Sequence, residues 1–93
     1  MTAAVEANRT FQSGPLRSAP CGTPCVVRRV VAPAANPELK SQLEDIGFLP
    51  GEPVLVTMRG FPGDDPLAVR VGQSTFALRA AEAACIEVES HPK

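Results

Sequence analysis

The sequence predicts a mainly β fold, a small antiparallel barrel of about five strands with one helix between the first and second strands. Three observations carry that expectation. Short runs rich in β-branched residues ("CVVRRVVA", "PVLVTMR", "LAVRV", "TFALR", "CIEVE") are separated by turn residues. One stretch, "PELKSQLEDI", repeats its apolar residues at helical spacing. The chain has 93 residues, and its start is rich in Ala, Ser, Pro and Thr, which leaves about 70 residues for a thin core. Short strands left flat would expose unpaired edges, and closure into a barrel removes them.

Residues 1–20 are expected to be a flexible N-terminal extension and residues 21–90 the folded domain. The first strand begins at Cys25 with an awkward parity. Val27, Arg29 and Val31 share one face, and Val26, Arg28 and Val30 share the other. Each face therefore carries an arginine, which suits an edge strand or one bulged near the Arg pair.

In the helix, Asn36 is the expected N-cap and Pro37 the first helical residue, while Glu38 complements the positive end of the dipole. Leu39, Leu43 and Ile46 form one apolar stripe, with Lys40, Gln42, Glu44 and Asp45 on the wet face. The junction "LEDIGFLPGEPV" then stops the helix and starts a strand. Gly47 suits a left-handed helix end, and Pro50-Gly51 suits a type II turn with glycine third. This double turn would let the helix cover the barrel's mouth and pass the chain into the second strand.

Beyond it, Val54, Val56 and Met58 are expected on one face, and "GFPGDDP" as a loop. Leu67, Val69 and Val71 should share one face with Ala68 and Arg70 opposite, "GQS" is short enough to close a hairpin, and Phe76 with Leu78 should face one side. "AAEAA" has the length of one helical turn. The closing strand places Ile86 and Val88 inward and Glu87 and Glu89 outward.

Composition narrows the function. A net charge of −1, no Tyr or Trp and four scattered Phe disfavour nucleic-acid binding. No apolar run is long enough to span a bilayer, and the N-terminus lacks the basic start and apolar centre of a secretory signal. A cytoplasmic location is expected. The three cysteines are an odd set that suits a reducing compartment. No phosphate loop, dinucleotide fingerprint, H-E-x2-H pair or serine elbow occurs, and Asp64-Asp65 reads as a solvated turn pair. A non-enzymatic protein without a cofactor or bound metal is expected. The alternative is a small metal-binding protein carrying iron or zinc through Cys21, Cys25 and the sole histidine, His91.

With these motifs placed, the chain resembles the ferrous-iron transport protein A (FeoA) family over residues 22–89, most visibly from Leu39 to Glu89. The likeness rests on Leu43 through Ile46-Gly47-Phe48 to Pro50-Gly51, on the loop Phe61-Pro62-Gly63-Asp64-Asp65-Pro66, and on Leu78-Arg79-Ala80-Ala81-Glu82-Ala83 before Ile86 and Val88. Two features depart from the family pattern, the second Asp in G-D-D-P and the N-terminal tail with its C-x3-C. The resemblance implies an SH3-like barrel. It also implies a cytosolic accessory that docks on a FeoB-type membrane iron transporter, whose cytosolic region carries a GTPase domain. A similar barrel occurs at the C-terminus of iron-dependent repressors.

SH3-like barrels bind partners through grooves beside their loops and through strand edges. On that basis Phe48, Leu49, Phe61 and Arg79 are the expected partner-binding residues. Phe48 has core packing as its alternative. Arg79 has a structural one, anchoring a turn carbonyl or pairing with Glu82.

Because the strand and helix patterns supply a core by themselves, a chelator should leave the fold intact. Circular dichroism in EDTA is expected to keep its sheet signal, whereas a domain built on structural zinc would lose it.

Overall fold

The computed structural model describes residues 11–60, 63 and 65–90. In chain order the elements are β1 (Ser13–Pro15), a 3-10 turn (Leu16–Ser18), β2 (Cys25–Val30), α1 (Glu38–Ile46), β3 (Pro53–Arg59), β4 (Leu67–Val71), β5 (Ser74–Leu78), α2 (Ala80–Ala83) and β6 (Ile86–Ser90). The strands form one antiparallel sheet in the order β1-β6-β2-β3-β4-β5.

This architecture corrects the expected barrel in three ways. The sheet has six strands, the helix lies between the second and third, and the sheet is not closed, since β1 and β5 are its two ends. The cause lies in the stretch assigned to the extension. Residues 1–10 of that extension lie outside the described residues, but Ser13, Gly14 and Pro15 pair with Glu89, Val88 and Glu87 of β6. Leu16 and Ala19 are fully buried. The 3-10 turn packs against α2 and β6, and the Arg59 guanidinium donates to the carbonyl of Ala19. The core beside the open ends is thus covered by a short turn and a short helix instead of by a closing strand pair.

The arginine parity in β2 is resolved by a bulge. Its register against β6 shifts between Val27 and Arg29, so Cys25, Val27 and Val30 all face the core while Arg28 and Arg29 both face out. β2 is no edge strand, because it lies between β6 and β3. Arg29 meets its register partner Glu87 in an exposed ion pair at 2.8 Å. A pair so solvated contributes less than about 1 kcal/mol.

A second bulge, between Val56 and Met58 against β4, takes Met58 off the face it was expected to share with Val54 and Val56. Val54 and Val56 are buried, but Met58 is 66% exposed. The expected faces of β4, β5 and β6 are otherwise in place. Leu67, Val69, Val71, Leu78, Ile86 and Val88 are buried, and Phe76 is partly buried with its ring tilted against Phe48, centroids 6.5 Å apart.

In α1, Pro37 has helical dihedrals (φ −67°, ψ −19°) just before Glu38, and the Leu39 N–H donates to the Asn36 carbonyl at 3.2 Å. Leu39 and Leu43 are buried, but Ile46 is 38% exposed, so the expected stripe is one residue shorter. The fully buried Phe48 joins Leu39 and Leu43 in the core in its place.

Leu43→Ala should therefore remove a buried side chain at a cost of about 2–5 kcal/mol, comparable to the whole stability of a small domain. A thermal melt is expected to shift down sharply, and an unchanged midpoint would show that α1 is not packed on the sheet.

Candidate functional site

The helix-to-strand junction is fixed by backbone chemistry. Gly47 has φ 130°, and its N–H donates to the Glu44 carbonyl at 3.0 Å while the Phe48 N–H donates to the Leu43 carbonyl at 3.2 Å. These two bonds make a Schellman ending, whose hydrophobic partners are the residue after the glycine and one in the last turn. Here those residues are Phe48 and Leu43, both in the core. A β-turn follows at once, with the Glu52 N–H on the Leu49 carbonyl at 3.0 Å and Gly51 at φ 91° in third position, as a type II turn requires. The turn is tied to the sheet through one residue. The Gly51 N–H donates to the Val27 carbonyl at 2.8 Å, and the Val27 N–H donates to the Glu52 carbonyl at 2.9 Å.

On this fixed backbone Leu49 is 45% exposed, three residues after the 38% exposed Ile46 that ends the helix. Phe48 is fully buried. It packs in the core, the alternative given for it, because the Schellman turn directs the residue after Gly47 under the helix. The exposure of Ile46 was not expected, since its spacing from Leu39 and Leu43 matches a buried stripe. The available signal was its position as the last residue before Gly47, where the helix stops.

Arg79 is exposed at a different place. Its carbonyl accepts the N–H groups of Glu82 and Ala83 at 2.9 and 3.0 Å, and its own N–H donates to Glu82 Oε1 at 2.8 Å. Glu82 thus caps the backbone of α2. Asp65 Oδ1 accepts the Ala80 N–H at 3.1 Å, which ties the 60–66 loop to the same turn. Phe61 lies outside the described residues. At the loop's base the Gly60 N–H donates to the Pro66 carbonyl at 2.7 Å, and a Cβ on Gly60 would lie 2.6 Å from the Asp65–Pro66 backbone. The four expected contacts therefore divide: Leu49 belongs to the helix junction and Arg79 to the loop and α2.

The thiols are dispersed. Cys21 is exposed, while the Cys25 thiol lies in the core and donates to the Thr23 carbonyl at 3.4 Å. The Cys85 thiol donates to the Ala81 carbonyl at 3.4 Å. Burial pushes the titration of Cys25 up, and burial with the nearby Glu82 carboxylate does the same for Cys85. Among the described residues no three His, Cys, Asp or Glu side chains gather in a way that could hold a metal ion. His91 lies outside the described residues. Also among them, no helix is long and apolar enough to cross a membrane.

The FeoA domain family matches residues 14–90, most of the chain. The chain belongs to the FeoA family. It is similar to Stenotrophomonas maltophilia FeoA, a prokaryotic SH3 domain protein solved as its zinc complex. Identity is 37% over 81% of this chain and 88% of that one, with a TM-score of 0.73. It is also similar to iron(II) transport protein A of Clostridium thermocellum, at 32% identity and a TM-score of 0.71. That match covers 82% of this chain and 44% of the other, so this chain spans less than half of that molecule. A manganese-dependent transcriptional repressor shares the fold at 21% identity and a TM-score of 0.72, over 87% of this chain and 43% of the repressor. No curated protein matches the chain. The FeoA relatives make the open six-stranded sheet an SH3-like fold and link the family to ferrous-iron transport.

The buried thiols set a pH dependence. Their folded-state titration lies above the ordinary thiol value of 9.0, so the stability they contribute is complete below that value and is lost as pH rises through it. Urea unfolding is expected to be flat from about pH 7 to pH 8 and to weaken above about pH 9. A thiol reagent should label native Cys21 first and Cys25 and Cys85 slowly; equal rates at all three would contradict the burial.

Proposed function

We propose that this FeoA-family protein is a non-enzymatic, cytoplasmic accessory of ferrous-iron uptake that docks on the cytosolic GTPase region of a FeoB-type transporter and modulates it. The S. maltophilia relative has been put forward as a bacterial ferrous iron transport activating factor, which supports an accessory role over a catalytic one. The observation that carries the docking reading is the exposed Leu49 on a turn anchored at both of its ends. Bonds to Leu43, Glu44 and Val27 hold the backbone on either side of it. A contact residue presented on a fixed turn loses little conformational freedom on binding, so more of its burial is realised as affinity.

Leu49 is the primary contact, with Ile46, three residues earlier, as a second exposed apolar residue. Arg79 and Phe61 are further proposed contacts, Phe61 lying outside the described residues. Metal carriage through Cys21, Cys25 and His91 is less well supported, since Cys25 spends its thiol inside the core.

Leu49→Ser should leave the thermal midpoint nearly unchanged and weaken capture by a FeoB-type cytosolic region about tenfold, the loss expected for one central apolar contact. Gly51→Val should lower the midpoint, because a β-branched residue fits a positive φ poorly. A Leu49→Ser protein that melts much earlier would make Leu49 a core residue and withdraw its binding role. One that melts normally and binds normally would move docking elsewhere.

A further inference from the structure

The two ends of the open sheet differ in kind. β1 is three residues long and contains Gly14 and Pro15, features that blunt an edge against unwanted pairing. β5 is five residues, Ser-Thr-Phe-Ala-Leu, with neither charge nor proline. Its register against β4 runs unbroken from Leu67↔Leu78 to Val71↔Ser74, whereas bulges interrupt both β2 against β6 and β3 against β4. Among the described residues, β5 itself carries none of the protective charges, prolines or bulges.

Hydrogen-bond parity decides what the edge offers. The two-residue loop Gly72-Gln73 makes Val71 and Ser74 a bonded pair, and bonded pairs alternate along an antiparallel ladder. Ser74, Phe76 and Leu78 therefore direct their backbone groups to β4, and Thr75 and Ala77 direct theirs outward. Among the described residues no hydrogen bond engages the outward groups of Thr75 or Ala77. The side chains of both are exposed on the outer face.

We propose that this edge is a self-pairing surface, on which a second copy of the chain adds its own β5 in antiparallel register about a two-fold axis at Phe76. Parity selects that register. With the axis at Phe76, outward-facing Thr75 meets outward-facing Ala77 of the second copy, and the reverse, so each of the two pairs exchanges both of its N–H···O bonds. The edge is complementary to itself and brings no like charges together, which favours a second copy over a foreign strand selected by charge. The outer face adds to the contact. The register aligns Met58 with Ala68 and Ala68 with Ala77, so the exposed Met58 ends an apolar row that runs to the edge and continues onto Thr75 of the second copy. An edge of this length buries less than a standard interface, so the dimer is weak and concentration-dependent.

Sedimentation equilibrium of the full chain from about 10 µM to 1 mM reads the association directly, with dimer expected at the upper end for a weak interface. In the double variant Thr75→Lys/Ala77→Lys, each cross-strand pair becomes Lys opposite Lys, and association should weaken at least about tenfold. In Thr75→Glu/Ala77→Lys each pair becomes Glu opposite Lys, and association should return at least to the original strength. All four new side chains are solvent-facing, so both variants should melt like the parent, and a melt of each confirms that folding is not what changed. A parent that stays monomeric throughout overturns the proposal and leaves the edge to a foreign strand. A dimer unaffected by the Lys/Lys variant, or one not restored by the Glu/Lys variant, overturns it as well. Leu49→Ser should dimerise normally, which separates this surface from the docking site.

Discussion

The structure depends most on Val27. Its N–H and C=O are both bonded to the turn that follows α1, through Glu52 and Gly51. Its register partner on the other side is Val88 of β6, and its side chain is buried. The β2 bulge starts at the same residue. One backbone position thus fixes where the helix-to-strand turn lies, how β6 is aligned, and where β2 changes face. The glycines of the junction serve this tie by conformation and not by space. A Cβ on Gly51 would meet nothing within 4 Å, and one on Gly47 would meet only the Val71 methyls at 3.9 Å. What both require is the positive φ. Gly60 is the opposite case, since there the obstacle is backbone at 2.6 Å.

The two bulges divide core from surface. An uninterrupted β2 would alternate and bury one arginine, and a buried unpaired charge is far costlier than a local loss of register. Placing the shift at Arg28 puts both guanidinium groups outside and returns Val30 to the core. The same device in β3 has the reverse result for a hydrophobic residue, because Met58 is carried outward. Bulges also bend strands. With β2 and β3 bent and the 3-10 turn covering the gap, the sheet can wrap a core without its ends pairing.

Much of this was legible locally. The helix, its stop at Gly47, the glycine in the third position of the turn, and the bulge near the Arg pair each follow from a few neighbouring residues. What escaped was non-local. β1 has three residues, Ser-Gly-Pro, with no periodicity, and exists only because β6 from the far end of the chain pairs with it. Closure was expected from a general rule about edges, and a turn that buries Leu16 and Ala19 makes it unnecessary. The exposure of Leu49 was legible because it falls outside both the helix stripe and the strand alternation. Phe48 and Ile46 exchanged places across the helix end, since spacing alone does not register the reversal that a Schellman turn imposes.

That exchange also explains how a domain with a thin core can spare apolar residues for its surface. Phe48 brings more buried volume under the helix than Ile46 would, and its ring also reaches Phe76 in β5. Ile46 and Leu49 are then free of structural duty, one on each side of a residue that has it. Their positions are nonetheless set, because Gly47, Phe48 and Gly51 are all bonded in place. A fixed frame with exposed residues between its bonded points lets those residues vary while the frame stays the same. Substitutions at Gly47, Phe48 and Gly51 therefore act on the fold itself, whereas the exposed side chains of Leu49 and Ile46 lie outside the bonds and packing that hold it.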